Sequence, residues 1–278
     1  MGPISILLAA VEGAGAAPAG AGHEGPAEIL MHHVLDQRLG HFYVGPFDLA
    51  PTKHLLFFVA AALLLLVVIR MALRGYQQGV PRGLAAAVEG LVLFVRDEIA
   101  VKNIGHDGHK YTPLLLSFFF FILAAAFLGL VPFSATATGN VSVTLGLAVV
   151  SFIAMQYAGI STNGLLHHFT GMIPPGLPWF LIPIMIPVEL LGMFSKPFAL
   201  TIRLFANMLA GHMVIGALLM LVPLTAAIST LLGISMIPVS LGLALFVMVL
   251  EILVAFIQAF IFTLLSAIFI GMFAHPSH

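Results

Sequence analysis

Beyond Lys110 the chain carries only two basic residues, Lys196 and Arg203, and only two acids, Glu189 and Glu251. Three of these four, with Asn207 and His212, fall in or beside the apolar stretch "LLGMFSKPFALTIRLFANMLAGHMV" (190–214), which Glu189 immediately precedes. A charged side chain at the centre of a bilayer costs about 2.5–3.5 kcal/mol on insertion scales and ~10–17 kcal/mol in simulations. Charges kept in such surroundings therefore face protein or water and have a task. Glu189, Lys196 and Arg203 follow one another at intervals of seven, and seven helical residues drift by only ~20°. They form a stripe that Asn207, four residues further on, continues. His212 stands nine residues after Arg203, about 180° around an ideal helix. In the last apolar run Glu251 and Gln258 are again seven apart. A guanidinium stays protonated at any biological pH, its pKa lying above ~12. It attracts a passing carboxylate and favours its ionised form, yet cannot hand a proton on. His212 and Glu251 can exchange protons where their environment moves them toward neutrality. Exchangeable groups on either side of a fixed cation are the parts needed for a proton path with a barrier that does not leak.

These residues need a membrane fold to hold them. Of 278 residues 61% are hydrophobic and 8% charged, and the mean hydropathy is +1.14. Soluble domains carry about 25% charged residues, so an ordinary soluble globule is excluded. Several runs exceed the ~18 apolar residues that mark a spanning helix. With Cys 0 no disulfide framework or thiolate metal site is possible. The formal net charge of −1 points to neither nucleic acid nor an acidic surface as partner. No G-x-x-x-x-G-K-[ST] loop is present, and no cofactor is expected.

The first fifty residues read as an external N-terminal tail rich in Gly, Ala and Pro. It contains a short apolar segment, "ISILLAAV". That segment is similar to a secretory core, but no Lys or Arg precedes it; a tail is the expected reading and a cleaved leader the alternative. Residues 51–278 read as one all-α polytopic membrane domain. Five transmembrane helices are expected at 54–73, 113–133, 141–159, 181–221 and 239–273. One interfacial amphipathic helix is expected near 83–101, where apolar residues at 84, 88, 91, 92, 95 and 99 oppose Glu89, Arg96 and Asp97. Pro113 is expected to open the second span. "STNGLLHHFTGMIPPGLP" (161–178) reads as a loop. The fourth span would be about 60 Å long at 1.5 Å per residue, against a hydrocarbon core of about 30 Å. The last two helices are therefore long and tilted, and they form a hairpin through a turn between Pro223 and Pro238. Arg74, Arg82, Arg96, Lys102 and Lys110 follow the first span and precede the second, with Arg70 at its end. The positive-inside rule places that connection in the cytoplasm, the N-terminus outside and the C-terminus inside.

The stretches "SKPFALTIRLFANMLAGH", "EILVAFIQAFIF", "NVSVTLGLA" and "VRDEIAVKNIG....KYTP" resemble subunit a of the F-type ATP synthase, bacterial type. The resemblance runs from about residue 54 to the C-terminus, and R-L-F-x-N-M-x-A-G is its most specific part. It implies a non-catalytic, proton-translocating stator in the bacterial inner membrane. That stator offers two offset half-channels to a rotating c-subunit ring and is joined to a b-subunit peripheral stalk. Arg203 would match the arginine that faces the ring carboxylate. Asn207 and Gln258 would match polar residues of the outer half-channel, and His212 and Glu251 its proton-exchanging pair. Here the order of that pair is reversed relative to many bacterial members, as in mitochondrial ones. Glu189 would match a carboxylate of the inner half-channel, beside which Gly192 replaces a common serine. Lys196, Ser195 and Asn140 would be supporting residues.

Plainer readings stand beside these. Arg203 could form a structural ion pair, Lys196 snorkel to the interface, and Glu189 pair with Lys196. His212 could be a simple buried histidine, and Asn207 and Gln258 interhelical hydrogen-bond glue. The His32-His33 and His167-His168 pairs do not share a helix face and are poor metal ligands. A stand-alone secondary ion transporter is the rival function, as is a Na⁺-coupled version of the same subunit; the first usually shows inverted repeats, and none is visible. An intramembrane hydrolase would need a nucleophile and base or an H-E-x-x-H pair, and the sequence has neither.

Overall fold

A computed structural model describes residues 43–44, 47–48, 53–76, 81–105, 107–130, 137–164 and 182–274. Almost all of the expected tail, most of the loop at 161–178 and both His-His pairs lie outside the described residues. Apart from a two-residue antiparallel pairing of β1 (Tyr43–Val44) with β2 (Phe47–Asp48), the described elements are helical. Five of the helices are long and apolar enough to cross a membrane. The chain divides into two compact units, Met1–Gln37 with Asn207–Leu253 and Arg38–Ala206 with Val254–His278. Residues 51–278, read from the sequence as one membrane domain, are distributed over both.

In the larger unit, α1 (Lys53–Tyr76) is apolar on every side from Leu55 to Ile69 and carries Arg70 and Arg74 near its end. It meets the helix that follows the basic connection through the small residues Ala61 and Ala125, with Phe58 and Phe121 rings 5.0 Å apart. The amphipathic segment begins as α2 (Leu84–Leu93), but from Phe94 to Val101 it winds as a π-helix before one further turn, Lys102–Ile104. An i→i+5 ladder places more than four residues in each turn. Its buried positions, Val95, Ile99 with Ala100, and Ile104, accordingly recur every four or five residues rather than at the expected α spacing. They enter the chain's own main core with Leu115, Phe119, Phe262 and Ile270. The opposite side carries exposed ion pairs, Arg96–Asp97 at 2.7 Å and Lys102–Glu98 at 3.1 Å. The hydrogen-bonded Arg96 guanidinium holds the Asp97 carboxyl below its ordinary range. Such exposed pairs add little stability.

Helix α3 (Gly108–Gly129) starts five residues before Pro113, which is thus inside the helix. Pro113 lacks the N–H that would otherwise donate to the His109 carbonyl near the N-terminus. Thr112 Oγ1 donates to the Gly108 carbonyl at 2.9 Å, and Ser117 Oγ donates to that of Pro113 at 2.8 Å. Helix α4 (Val141–Asn163) is capped by Asn140, whose side-chain oxygen accepts from the Ser142 N–H. It ends at Gly164, whose φ of 76° favours glycine.

The last two helices, α5 (Ile182–Ala226) and α6 (Thr230–Ala274), each have 45 residues. The expected turn from Pro223 to Pro238 contracts to residues 227–229, and both prolines are helical. Each leaves the carbonyl four residues before it, that of Leu219 or Ile234, without its usual backbone donor, a loss that membrane helices tolerate. Thr225 Oγ1 donates to the Leu221 carbonyl, and Thr201 Oγ1 to that of Pro197. In the larger unit α4 is tied to α6 by Ser151 donating to Ser266 at 2.8 Å, and to α5 by Gln156 donating to the Met193 sulfur. In the smaller unit the C-terminal part of α5 and the N-terminal part of α6 form a tight hairpin. Gly233 backs onto Ala226, and Ser240 Oγ donates to the Leu218 carbonyl.

Candidate functional site

The larger unit holds Arg203, Gln258, Lys196 and Ser195. Met193, Leu200 and Leu204 anchor this part of α5 in the core, in one buried cluster with Ala259 and Phe262 of α6. The turns that carry Arg203 and Gln258 are therefore braced on the same cluster. Arg203 itself is exposed, and among the described residues it makes no ion pair or hydrogen bond. Gln258 is buried. Lys196 is half-buried. Its ammonium lies 5.4 Å from the Phe269 ring centre, 5.1 Å from that of Phe273, and 3.5 Å from the Met272 sulfur. Cation–π contact at these distances holds a charge without a carboxylate, so Lys196 clamps α5 to the end of α6. Ser195 spends its hydroxyl on the Gly192 carbonyl at 2.9 Å. Asn140 is engaged as the α4 cap and belongs to the helix architecture. Glu189 lies on α5, and its side chain is outside the described set.

The smaller unit brings His212 and Glu251 together across its hairpin. Imidazole Nδ1 and carboxylate Oε1 are 3.2 Å apart, and the Glu251 side chain is 8% exposed. Neither Glu251 oxygen nor His212 Nδ1 has an aligned hydrogen bond, although all three are buried. Unmet buried polar atoms are costly, and a slight rotation of either side chain would align the pair for proton exchange. Asn207 is half-buried at the start of this unit.

One contributor here is not visible from residue types. A Cβ on Gly211 would lie 2.5 Å from Glu251 Oε1 and 2.9 Å from its Cδ. The carboxylate thus occupies the room that a side chain at position 211 would take. In the sequence Gly211 stood only as the last residue of the R-L-F-x-N-M-x-A-G motif, immediately before His212, with nothing to say what its missing side chain makes room for. Among the described residues no cluster of three His, Cys, Asp or Glu could hold a metal ion.

A model of the family described as ATP synthase A chain matches residues 55–271. The chain is 48% identical over 264 residues to "ATP synthase subunit a" of Anaeromyxobacter sp. (strain Fw109-5), covering 92% of this chain and 63% of that relative. It is 43% identical over 288 residues to "ATP synthase subunit a 2" of Prosthecochloris aestuarii, covering 97% of this chain and 86% of the relative. With the protein of the same name from Chlorobaculum tepidum the identity is 41%, over 96% and 80% of the two chains. The chain therefore spans a little under two thirds of the Anaeromyxobacter relative but most of the other two.

Proposed function

Because the chain belongs to the ATP synthase A chain family, we propose that it is the proton-translocating stator of the synthase's membrane sector. The observation that carries this is Arg203, exposed on an apolar helix with no counter-charge among the described residues. A guanidinium at such a position calls for an acid opposite it, and a carboxylate on a neighbouring c-subunit ring meets that need. A proton arriving from outside passes Asn207, His212, Glu251 and Gln258 and neutralises a ring carboxyl, which then moves cheaply through lipid. At the inner half-channel, by Glu189, Arg203 favours the ionised form and the proton leaves toward the cytoplasm. The positive Arg203 also repels a proton that attempts direct passage, by several kcal/mol at ~4 Å with an effective dielectric near 20. Each charge crossing 100 mV supplies ~2.3 kcal/mol to the rotation.

In this reading the chain performs no bond chemistry of its own. It sits in the bacterial inner membrane with the N-terminus outside and the C-terminus inside, and a b-subunit stalk holds it against the ring. Replacing Arg203 by Ala in the complete assembly is expected to abolish proton-driven ATP synthesis while the subunits still assemble. Measured coupled synthesis at the parental rate would overturn the assignment.

A further inference from the structure

The proton path leaves two arginines unused. Arg70 and Arg74 lie four residues apart near the end of α1, on one face of the helix. Both are exposed, and neither makes an ion pair or hydrogen bond among the described residues. Like charges at this spacing repel and destabilise the helix unless something anionic sits between them. They line a groove of about 280 Å³ whose other walls are Leu63, Leu66, Val67 and Met71. Each of these four apolar side chains is more than half exposed.

We propose that this groove is a binding site for an anionic phospholipid, with Arg70 and Arg74 on the headgroup phosphate and an acyl chain laid along the apolar wall. Leu63 to Arg74 is eleven helical steps, about 16 Å at 1.5 Å each. That matches half of the ~30 Å hydrocarbon core. The groove thus runs from headgroup level to mid-bilayer, the reach of one leaflet. A guanidinium pair suits a phosphodiester because its N–H groups are planar and forked. A free phosphate would leave the apolar wall uncovered, and a protein partner would need both an acid opposite the arginines and an apolar face along the wall below them. The site lies in the basic connection that the positive-inside rule assigns to the cytoplasmic leaflet, where basic pockets meet anionic headgroups. It does not depend on the proton path.

The chain has no cysteine, so a bimane label attached to Leu66→Cys reports on this groove alone. The full chain is reconstituted in phosphatidylcholine vesicles, and quenching by tail-brominated phosphatidylglycerol is compared with tail-brominated phosphatidylcholine. Phosphatidylglycerol is expected to associate about tenfold more strongly, and the preference is expected to shrink as salt is raised. Arg70→Gln with Arg74→Gln is expected to bring the two lipids to parity, whereas Arg82→Gln, outside the groove, leaves the preference intact. Glycerol 3-phosphate is expected not to displace the lipid. Equal quenching by both lipids, a preference indifferent to salt, equal loss in Arg82→Gln, or displacement by glycerol 3-phosphate would each refute the site. So would a label in the assembled complex that no lipid reaches because a protein subunit covers it. The salt titration uses the arginines as they stand, so it decides the matter even where the double variant does not fold.

Discussion

At the scale of single residues, the smaller unit puts a nearly buried carboxylate beside an imidazole and keeps position 211 clear for it. Gly211→Ala is therefore expected to push the Glu251 carboxylate away from His212. A displacement of about 1 Å at a reacting group costs on the order of 10²-fold in rate. ATP-driven proton pumping in inverted vesicles should fall steeply, while assembly is retained. Pumping within a factor of about two of the parent would show that the carboxylate has other room to occupy. Exchanging the pair, His212→Glu with Glu251→His, is expected to retain more pumping than either single change, because each partner still finds its complement across the hairpin. A double variant no better than the worse single one would mean the two do not act together. His212 and Glu251 were legible from the sequence because titratable groups are so scarce in this half of the chain. Gly211 closed the motif R-L-F-x-N-M-x-A-G, but its role was not legible, since that depends on how two helices pair, and no periodicity within one helix encodes it.

At the scale of elements, close backbone approach matters more than side-chain chemistry. A Cβ on Gly271 in α6 would collide with the Asn103 carbonyl, the turn that follows the π-helix, while a Cβ on Gly192 in α5 would meet nothing within 4 Å. In an open helix Gly→Ala gains up to about 1 kcal/mol. Gly271→Ala should instead destabilise by about 1–3 kcal/mol through overpacking, and Gly192→Ala should be neutral or slightly stabilising. Thermal unfolding in detergent that ranked the two the other way would contradict this packing. The number and order of the spanning helices were readable because twenty apolar residues in a row have few other fates. Their ends were not. Pro113, Pro223 and Pro238 signal breaks in water, yet each sits inside a helix here, where the loss of one backbone hydrogen bond does not end the winding. The π-helix was equally hidden: its apolar residues fit an α pattern almost as well, and burial in the core chose between the two windings.

At the scale of the whole molecule, the proposed topology gives the five long helices an odd number of crossings and puts the basic connection after α1 in the cytoplasm. Single substitutions in this cysteine-free chain test that topology directly. Arg82→Cys is expected to react with a membrane-impermeant maleimide from the cytoplasmic side, and Ser229→Cys, in the α5–α6 turn, from the opposite side. Labelling of both from one side would reverse or remove a crossing. The winding from Phe94 to Val101 has a consequence at this scale as well. With an i→i+5 ladder the segment contains more residues than an α-helix with the same number of turns. Deleting one amino acid there would let ordinary winding return with the number of turns unchanged, so the chain beyond would keep its facing and Asn103 would still present its carbonyl to Gly271. Deleting one from the α-helical turns of α2 has no such reserve to draw on and would swing everything downstream by roughly 100° about the axis. Related chains should therefore gain or lose a residue within this stretch more readily than in the turns of α2.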